Sequence, residues 1–268
     1  MTNFAQLKNS NLLSYPTTFN TIGQPFILLT SVDSTNNYAM GRAREGTATH
    51  GTAFFALEQT AGKGQRGRTW HTRKGENIIL SLVLNPSATQ PDAPFLLSAT
   101  IALACYDFYK NFAGEDTCIK WPNDLYWRDR KAGGILIENV FGSSAVGWQW
   151  AIAGIGININ QTEFESGLGK PVSLKQITGK EYNVTALAAS LCENIEKRFT
   201  NFRSGAYAEI LAEYNNVLYK RNEKVLLKKD NAVFETTIRG VAPSGKLLTS
   251  DTLDREFDFG EVSWVMDR

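Results

Sequence analysis

The 268-residue chain is 43% hydrophobic and carries 28 lysines and arginines against 27 aspartates and glutamates, for a formal net charge of +1. That length makes one large domain, or one plus a small one, with apolar material for a substantial core, and a charge so near zero excludes wholesale electrostatic binding to nucleic acid or membrane. The 3 cysteines are scattered and form no C-x-x-C pair, and only His50 and His71 are histidines, which excludes a disulfide frame, leaves little for a zinc centre or catalytic triad, and predicts a reducing, cytoplasmic setting.

Residues 1 to about 25 show no clear period and predict a loosely ordered arm, polar and without a signal-peptide core. Residues 25–29 read as a first strand. Ser34 or Thr35 then caps a helix running through Arg44 and ending at Gly46. Ser-Thr-Asn at this place is most often capping alone, yet a helix N-terminus also offers free N–H groups and hydroxyls to a ligand.

Apolar runs at 52–57 and 78–84 read as strands flanking a long loop, Gly62-Lys63-Gly64-Gln65-Arg66-Gly67-Arg68-Thr69-Trp70 and onward to Asn77. Its glycines let backbone N–H groups approach a ligand and its arginines offer forks to phosphate or carboxylate, so it suits a mobile basic flap over an anion. The G-x-G-x-x-G spacing leads into a strand rather than a helix, which fails the dinucleotide-fold reading, and no Gly-Lys-Ser/Thr closes a Walker A loop. A solvated basic hairpin tip is the plain alternative.

Residues 94–113 have helical spacing with one wide apolar face. Pro122-Asn123-Asp124 is a tight turn between two short strands, followed by Arg130-Lys131 and Gly133-Gly134 ahead of a strand at 135–141. A strand at 148–153 runs into Gly154-Ile-Gly156-Ile-Asn158, small residues suited to close approach of a ligand, although ordinary loop geometry looks similar. Residues 160–179 read as a loop with one short helical turn near 173–177. Thr185 caps a helix bearing Leu187, Leu191, Ile195, Phe199 and Phe202, and residues 207–218 form a second. From Glu223 the pattern becomes short strands at 224–228, 233–241, 247–249 and 261–265, a compact all-β tail.

The ordered series Ser34-Thr35-Asn36, Gln59 with the glycine-arginine loop ending in Trp70, Lys120-Trp121-Pro122-Asn123-Asp124, Arg130-Lys131-x-Gly133-Gly134-Ile135 and Gly154-Ile-Gly156-Ile-Asn158 resembles that of biotin protein ligases (biotin–acetyl-CoA-carboxylase ligases). Each motif alone is weak; five in one order carry the resemblance, from about Ser31 to the C-terminus.

The resemblance implies an α+β fold: a mixed sheet backed by helices (class II synthetase-like, the biotin-lipoate ligase fold) over residues 1–220, then a small SH3-like β-barrel over 221–268. It implies formation of biotinyl-5′-AMP from biotin and ATP with Mg2+, then transfer to a lysine of a biotin carboxyl carrier domain. By resemblance Ser34, Thr35, Asn36 and Gln59 hold the ureido end of biotin, and backbone around Lys63, Gly64, Gln65 and Gly133 encloses it. Lys131 reaches the biotin carboxylate and the α-phosphate, completing a catalytic set with Arg66 and Arg68, which face phosphates. Trp70 packs near adenine, Asn123 and Asp124 place nucleotide and magnesium with Asp124 as the metal ligand, and Asn158 sits at the adenylate. Lys63 and Gln65 stand where the family usually has arginine.

The resemblance further implies the monofunctional type. About thirty residues precede Ser34, too few for a winged-helix domain, so no operator binding is expected. The expected partner is the carrier domain of a carboxylase, with no DNA and no membrane, and a monomer or homodimer as the assembly. Two readings stay beside it: lipoate or octanoate protein ligation on the same fold, and a nucleic-acid binder using the basic loop and β tail.

Overall fold

A computed structural model of the chain describes residues 21–86, 94–142, 147–166 and 169–265. Most of the expected arm, residues 1–20, lies outside them. Strand β1 (Phe26–Leu29) pairs in parallel with β2 (Ala53–Ala56) through the crossover helix α1 (Thr35–Arg44). Antiparallel pairing joins β2 to β3 (Asn77–Leu84); helix α2 (Pro94–Ala113) follows, then β4 (Thr117–Lys120), β5 (Asp124–Trp127), β6 (Arg130–Phe141) and β7 (Trp148–Asn158). The sheet order is β1-β2-β3-β7-β6-β5-β4, a mixed sheet as expected.

Helices cover its faces unequally. Leu80, Leu82 and Leu84 of β3 and Ile155 and Ile157 of β7 pack in the main core with Leu97, Ile101, Phe108, Leu191 and Phe199 of α2 and α4 (Val184–Arg203). On the opposite face α1 covers only one end, where Ala39 and Ala43 meet Phe54, Val83 and Ile152. The period-2 alternation of β3 and β7 thus splits their side chains between a sealed face and an open one.

The short helix α3 (Leu174–Thr178) carries a capping box from Ser173 and Gln176. Asn183, rather than Thr185, caps α4, accepting the Ala186 N–H at 3.0 Å. Asparagine is the stronger N-cap, and its choice leaves Thr185 inside the first turn. After α5 (Tyr207–Asn216) come β8 (Lys224–Lys229), β9 (Ala232–Val241), β10 (Leu247–Ser250), β11 (Asp254–Phe257) and β12 (Ser263–Trp264). They form one antiparallel sheet, β11-β10-β9-β8-β12, consistent with an SH3-like unit. Sequence reading misses β11 because Asp254-Arg255-Glu256 has no apolar alternation. No described helix is long and apolar enough to cross a membrane.

Two other strands differ from expectation where the site lies. Strand β6 begins at Arg130, not 135, and β7 continues through Gly154-Ile-Gly156-Ile to Asn158 instead of ending at 153. Glycine disfavours strand intrinsically, but each of these sits where a neighbour occupies the space of a side chain.

Candidate active site

Strands β6 and β7 pair Gly134 with Gly156 and Leu136 with Gly154, and β3 pairs Ser81 with Gly154. A Cβ on Gly154 would lie 2.2 Å from Asn36 Oδ1, and one on Gly156 2.5 Å from the Trp70 ring. Gly134 faces Lys131 and Asp124. The open face therefore carries a trench with a glycine floor. Gly133 points the other way, where a Cβ would meet Gly156 O at 2.7 Å, so only its backbone borders the trench.

At one end the side chains are polar and, apart from Glu138, neutral. Ser34, Thr35 and Asn36 are buried at the start of α1. Ser34 holds the N-cap position with no side-chain cap bond. The Thr35 N–H donates to Gln59 Oε1 at 2.7 Å, with Thr35 Oγ1 3.0 Å from the same atom. Ser81 Oγ lies 2.8 Å from Thr35 Oγ1 and 2.7 Å from Asn36 Oδ1, and Asn36 Nδ2 donates to Glu138 Oε2 at 2.8 Å. Sequence reading does not single out Ser81 or Glu138, although Ser81 is the one polar residue in the run 78–84 and Glu138 interrupts the apolar run that starts at Ile135.

The other end is charged. Lys131 Nζ lies 2.8 Å from Asp124 Oδ1 and 5.6 Å from the centre of the Trp70 ring. A β-bulge makes this possible: Leu125 pairs with Gly133 but Tyr126 with Lys131, leaving Ala132 as the extra residue. Without it Lys131 would point to the opposite face of the sheet; with it, Lys131 shares the face of Gly134 and Glu138. The main chain of Lys131 is clamped on its other side, its N–H donating to Lys170 O at 2.9 Å and its carbonyl accepting from Val172 at 2.8 Å.

Asn123 and Asn158 are buried and turn their amides onto this same stretch. Asn123 Nδ2 donates to Ile135 O, and Asn158 Nδ2 to Val172 O at 3.2 Å and Lys131 O at 3.4 Å. Their visible work is to hold the strand that carries Lys131. Lys120 opens the Lys-Trp-Pro-Asn-Asp motif at the end of β4. It is 7% exposed, and burial among Tyr126, Tyr219 and Trp264 pulls its ammonium down to about 8, with Asp124 opposing and Lys131 and Arg68 adding to the fall.

The glycine-arginine loop covers the trench. The Gly64 N–H donates to Arg68 O at 2.7 Å and the Trp70 N–H to Gly62 O at 2.9 Å, folding the loop on itself. Lys63 Nζ reaches within 3.7 Å of Glu138 Oε1 and Gln65 Nε2 within 3.4 Å of Ile135 O. A cleft of about 430 Å3 lies beneath, lined by Lys63, Gly64, Arg66, Arg68, Leu136 and Glu138 among others. Arg68 is exposed on it. Arg66 turns its guanidinium onto the turn between β11 and β12, 2.8 Å from Gly260 O. A second cleft, of about 410 Å3, lies between Trp70–Arg73 on one side and Gln161–Glu165 on the other. Thus Thr35, Asn36 and Gln59 are joined by hydrogen bonds at one end with Ser34 buried beside them, Trp70, Asp124 and Lys131 meet at the other, and Lys63, Gln65 and Arg68 come from the covering loop, while Arg66 lines the cleft beneath that loop but gives its guanidinium to Gly260.

Residues 28–158 match the model of the biotin/lipoate A/B protein ligase family. Over 244 residues the chain is 31% identical to the bifunctional ligase/repressor BirA of Escherichia coli K12, covering 90% of this chain and 74% of that protein. It is 29% identical over 236 residues to the biotin–[acetyl-CoA-carboxylase] ligase of Paracoccus denitrificans, covering 85% and 95%. The solved biotin protein ligase from Aquifex aeolicus in complex with biotin and ATP superposes with a TM-score of 0.74 at 26% identity, covering 90% of this chain and 98% of that one.

Proposed function

The chain belongs to the biotin protein ligase family, and from that membership we propose how its residues carry out ATP-dependent biotinylation of a carboxylase's carrier domain. The observation that carries the reading is the trench itself, with neutral hydrogen-bonding groups at one end and the Lys131–Asp124 pair at the other. Biotin has that polarity, a cyclic urea at one end and a carboxylate at the other. Thr35, Gln59 and their neighbours take the urea, and Lys131 takes the carboxylate.

The first step joins two anions, so it needs positive charge more than a nucleophilic side chain. A biotin carboxylate oxygen attacks the α-phosphorus of ATP, pyrophosphate leaves, and Lys131 holds both the carboxylate and the α-phosphate oxygens. Arg68 faces the phosphates and Trp70 the adenine side. Arg66 can join only by leaving Gly260. Asn123 and Asn158 act by fixing the backbone around Lys131.

Among the described residues no group of three or more His, Cys, Asp or Glu could hold a metal. Asp124 is the carboxylate beside Lys131. That donor set fits a magnesium ion that arrives on the nucleotide's phosphates and takes one protein carboxylate. Bound there, it supplies neutralising charge to those phosphates. In the second step a carrier lysine amine attacks the acyl carbon of the mixed anhydride and AMP leaves. The loop over the trench keeps water from the anhydride meanwhile.

Biotin-dependent release of pyrophosphate from ATP tests this reading. Lys131→Ala should lower that rate by two to three decades, about 3–4 kcal/mol of transition-state stabilisation. Lys131→Arg should recover only part, since a planar fork does not replace a compact ammonium. Near wild-type biotinyl-adenylate formation by the alanine variant would sink the assignment of Lys131. Lipoate or octanoate replacing biotin as the better acid would favour the sister activity of the fold.

A further inference from the structure

Five side chains from α1, β3, β6 and the loop after β2 form one hydrogen-bonded chain at the neutral end of the trench, and its donors and acceptors are ordered. The Glu138 carboxylate and the Leu136 carbonyl can only accept. Asn36 Nδ2 donates to both, at 2.8 and 3.3 Å, which turns Asn36 Oδ1 toward Ser81 Oγ 2.7 Å away. An amide oxygen only accepts, so the single Ser81 hydroxyl hydrogen goes to Asn36.

At the far end the Thr35 backbone N–H can only donate, and it fixes Gln59 with Oε1 toward Thr35. Thr35 Oγ1 then lies 2.8 Å from Ser81 Oγ and 3.0 Å from Gln59 Oε1, two atoms with only lone pairs to offer it. Its one hydrogen is therefore directed inward. Toward the trench the Thr35 hydroxyl presents lone pairs alone. Thr35, Asn36 and Ser81 are 4%, 3% and 0% exposed, so this order is held in a dry environment where a misdirected hydroxyl is costly.

We infer that Glu138 and Ser81 are positioning residues that set the polarity of the trench's neutral end, making the Thr35 hydroxyl an obligate acceptor that selects a ligand N–H at that point. The inference rests on the ligase reading, in which that N–H belongs to the cyclic urea of biotin. Glu138 also meets Lys63 of the covering loop at 3.7 Å, so one carboxylate anchors both the polarity of the pocket and the loop that closes it.

Two variants disturb the order without filling space. Glu138→Gln keeps the shape but can turn a donor toward Asn36, and Ser81→Ala removes the hydrogen given to Asn36. Pyrophosphate release would be measured against biotin, against biotin methylated at a ureido nitrogen, and against ATP, alongside thermal unfolding. Each variant should raise KM for biotin by on the order of tenfold and narrow the preference over the methylated analogue by a similar factor. kcat and KM for ATP should stay within about twofold, and Glu138→Asp, which keeps an acceptor-only group, should lie nearer wild type.

An unchanged biotin KM and an unchanged preference would overturn the inference. So would a parallel loss in kcat, both KM values and thermal stability, which a purely structural role predicts. Wild-type protein without biotin-dependent pyrophosphate release overturns the ligase reading and this selectivity with it; an active wild type with unaltered variants overturns the relay alone.

Discussion

Lys120 Nζ lies 4.8, 5.1 and 5.7 Å from the ring centres of Tyr126, Trp264 and Tyr219 and 3.3 Å from the Tyr126 hydroxyl, so a cation is enclosed where the two sheets meet. Its ammonium is pulled from the ordinary 10.5 down to about 8, chiefly by burial. Between pH 8 and 10.5 the unfolded chain keeps a proton at this lysine that the folded chain has released, so stability rises with pH across that window. Lys120→Met lacks the titration. Wild type should therefore gain stability relative to the variant as pH climbs through the window, by at most about 3 kcal/mol. The aromatic faces favour the charged form and reduce the gain. Urea unfolding of both proteins at several pH values reads it directly; parallel pH profiles would show that Lys120 titrates as an ordinary lysine.

The loop over the trench is held by few contacts to the rest of the fold, chiefly Gln65 to Ile135 O, Arg66 to Gly260 O and Lys63 to Glu138. Its hydrogen bonds are mostly internal, Arg66 and Gly67 occupy left-handed backbone at φ 56° and 75°, and Arg66, Arg68 and Lys74 are exposed. Few buried contacts and several like charges make such a segment open easily. On the proposed reading biotin offers polar partners to its backbone, and the adenylate offers a phosphate to Arg68. Trypsin cleavage after Lys63, Arg66 or Arg68 should therefore slow with biotin and slow further with biotin, ATP and magnesium. Shared ordering of the loop also predicts positive coupling between biotin and nucleotide, typically about 1–3 kcal/mol. Equal resistance of those bonds with and without ligands would make the loop a fixed wall.

Across the whole molecule, the second sheet is joined to the first at several points. Trp121 Nε1 donates to Gly245 O at 2.9 Å, the Val241 N–H donates to Asn215 Oδ1 at 2.7 Å, and Arg66 donates to Gly260 O with Phe259 beneath its guanidinium. The last contact ties the covering loop to the distant tail. Gly260 has φ +82°, and a Cβ there would lie 2.2 Å from the Arg66 guanidinium. Gly260→Ala should therefore cost about 1–2 kcal/mol of stability through its backbone and expel Arg66 from its seat. Cleavage after Arg66 in the ligand-free protein should then speed up severalfold by limited trypsin digestion. An unchanged rate would show that the tail does not restrain the loop.

The sequence by itself determined the family, the reaction and most of the elements. Apolar periodicity marks α2, α4 and β3, Pro122-Asn123-Asp124 marks the turn between β4 and β5, and the ordered motifs single out the polar and charged side chains of the proposed site. These are legible because they rest on local spacing and residue type. Only the tertiary structure decided which groups face one another. Gly154 and Gly156 read as a loop because their neighbours Asn36 and Trp70 are remote in sequence, and the bulge at Ala132 that aims Lys131 is a matter of pairing with β5. Arg66 reads as a phosphate ligand, yet its partner, Gly260, lies in the remote turn between β11 and β12. Ser81 and Glu138 look like stray polar residues in apolar strands until β3, β6 and α1 bring them into one hydrogen-bonded chain. Such roles come from long-range pairing, which side-chain spacing along a single segment does not encode.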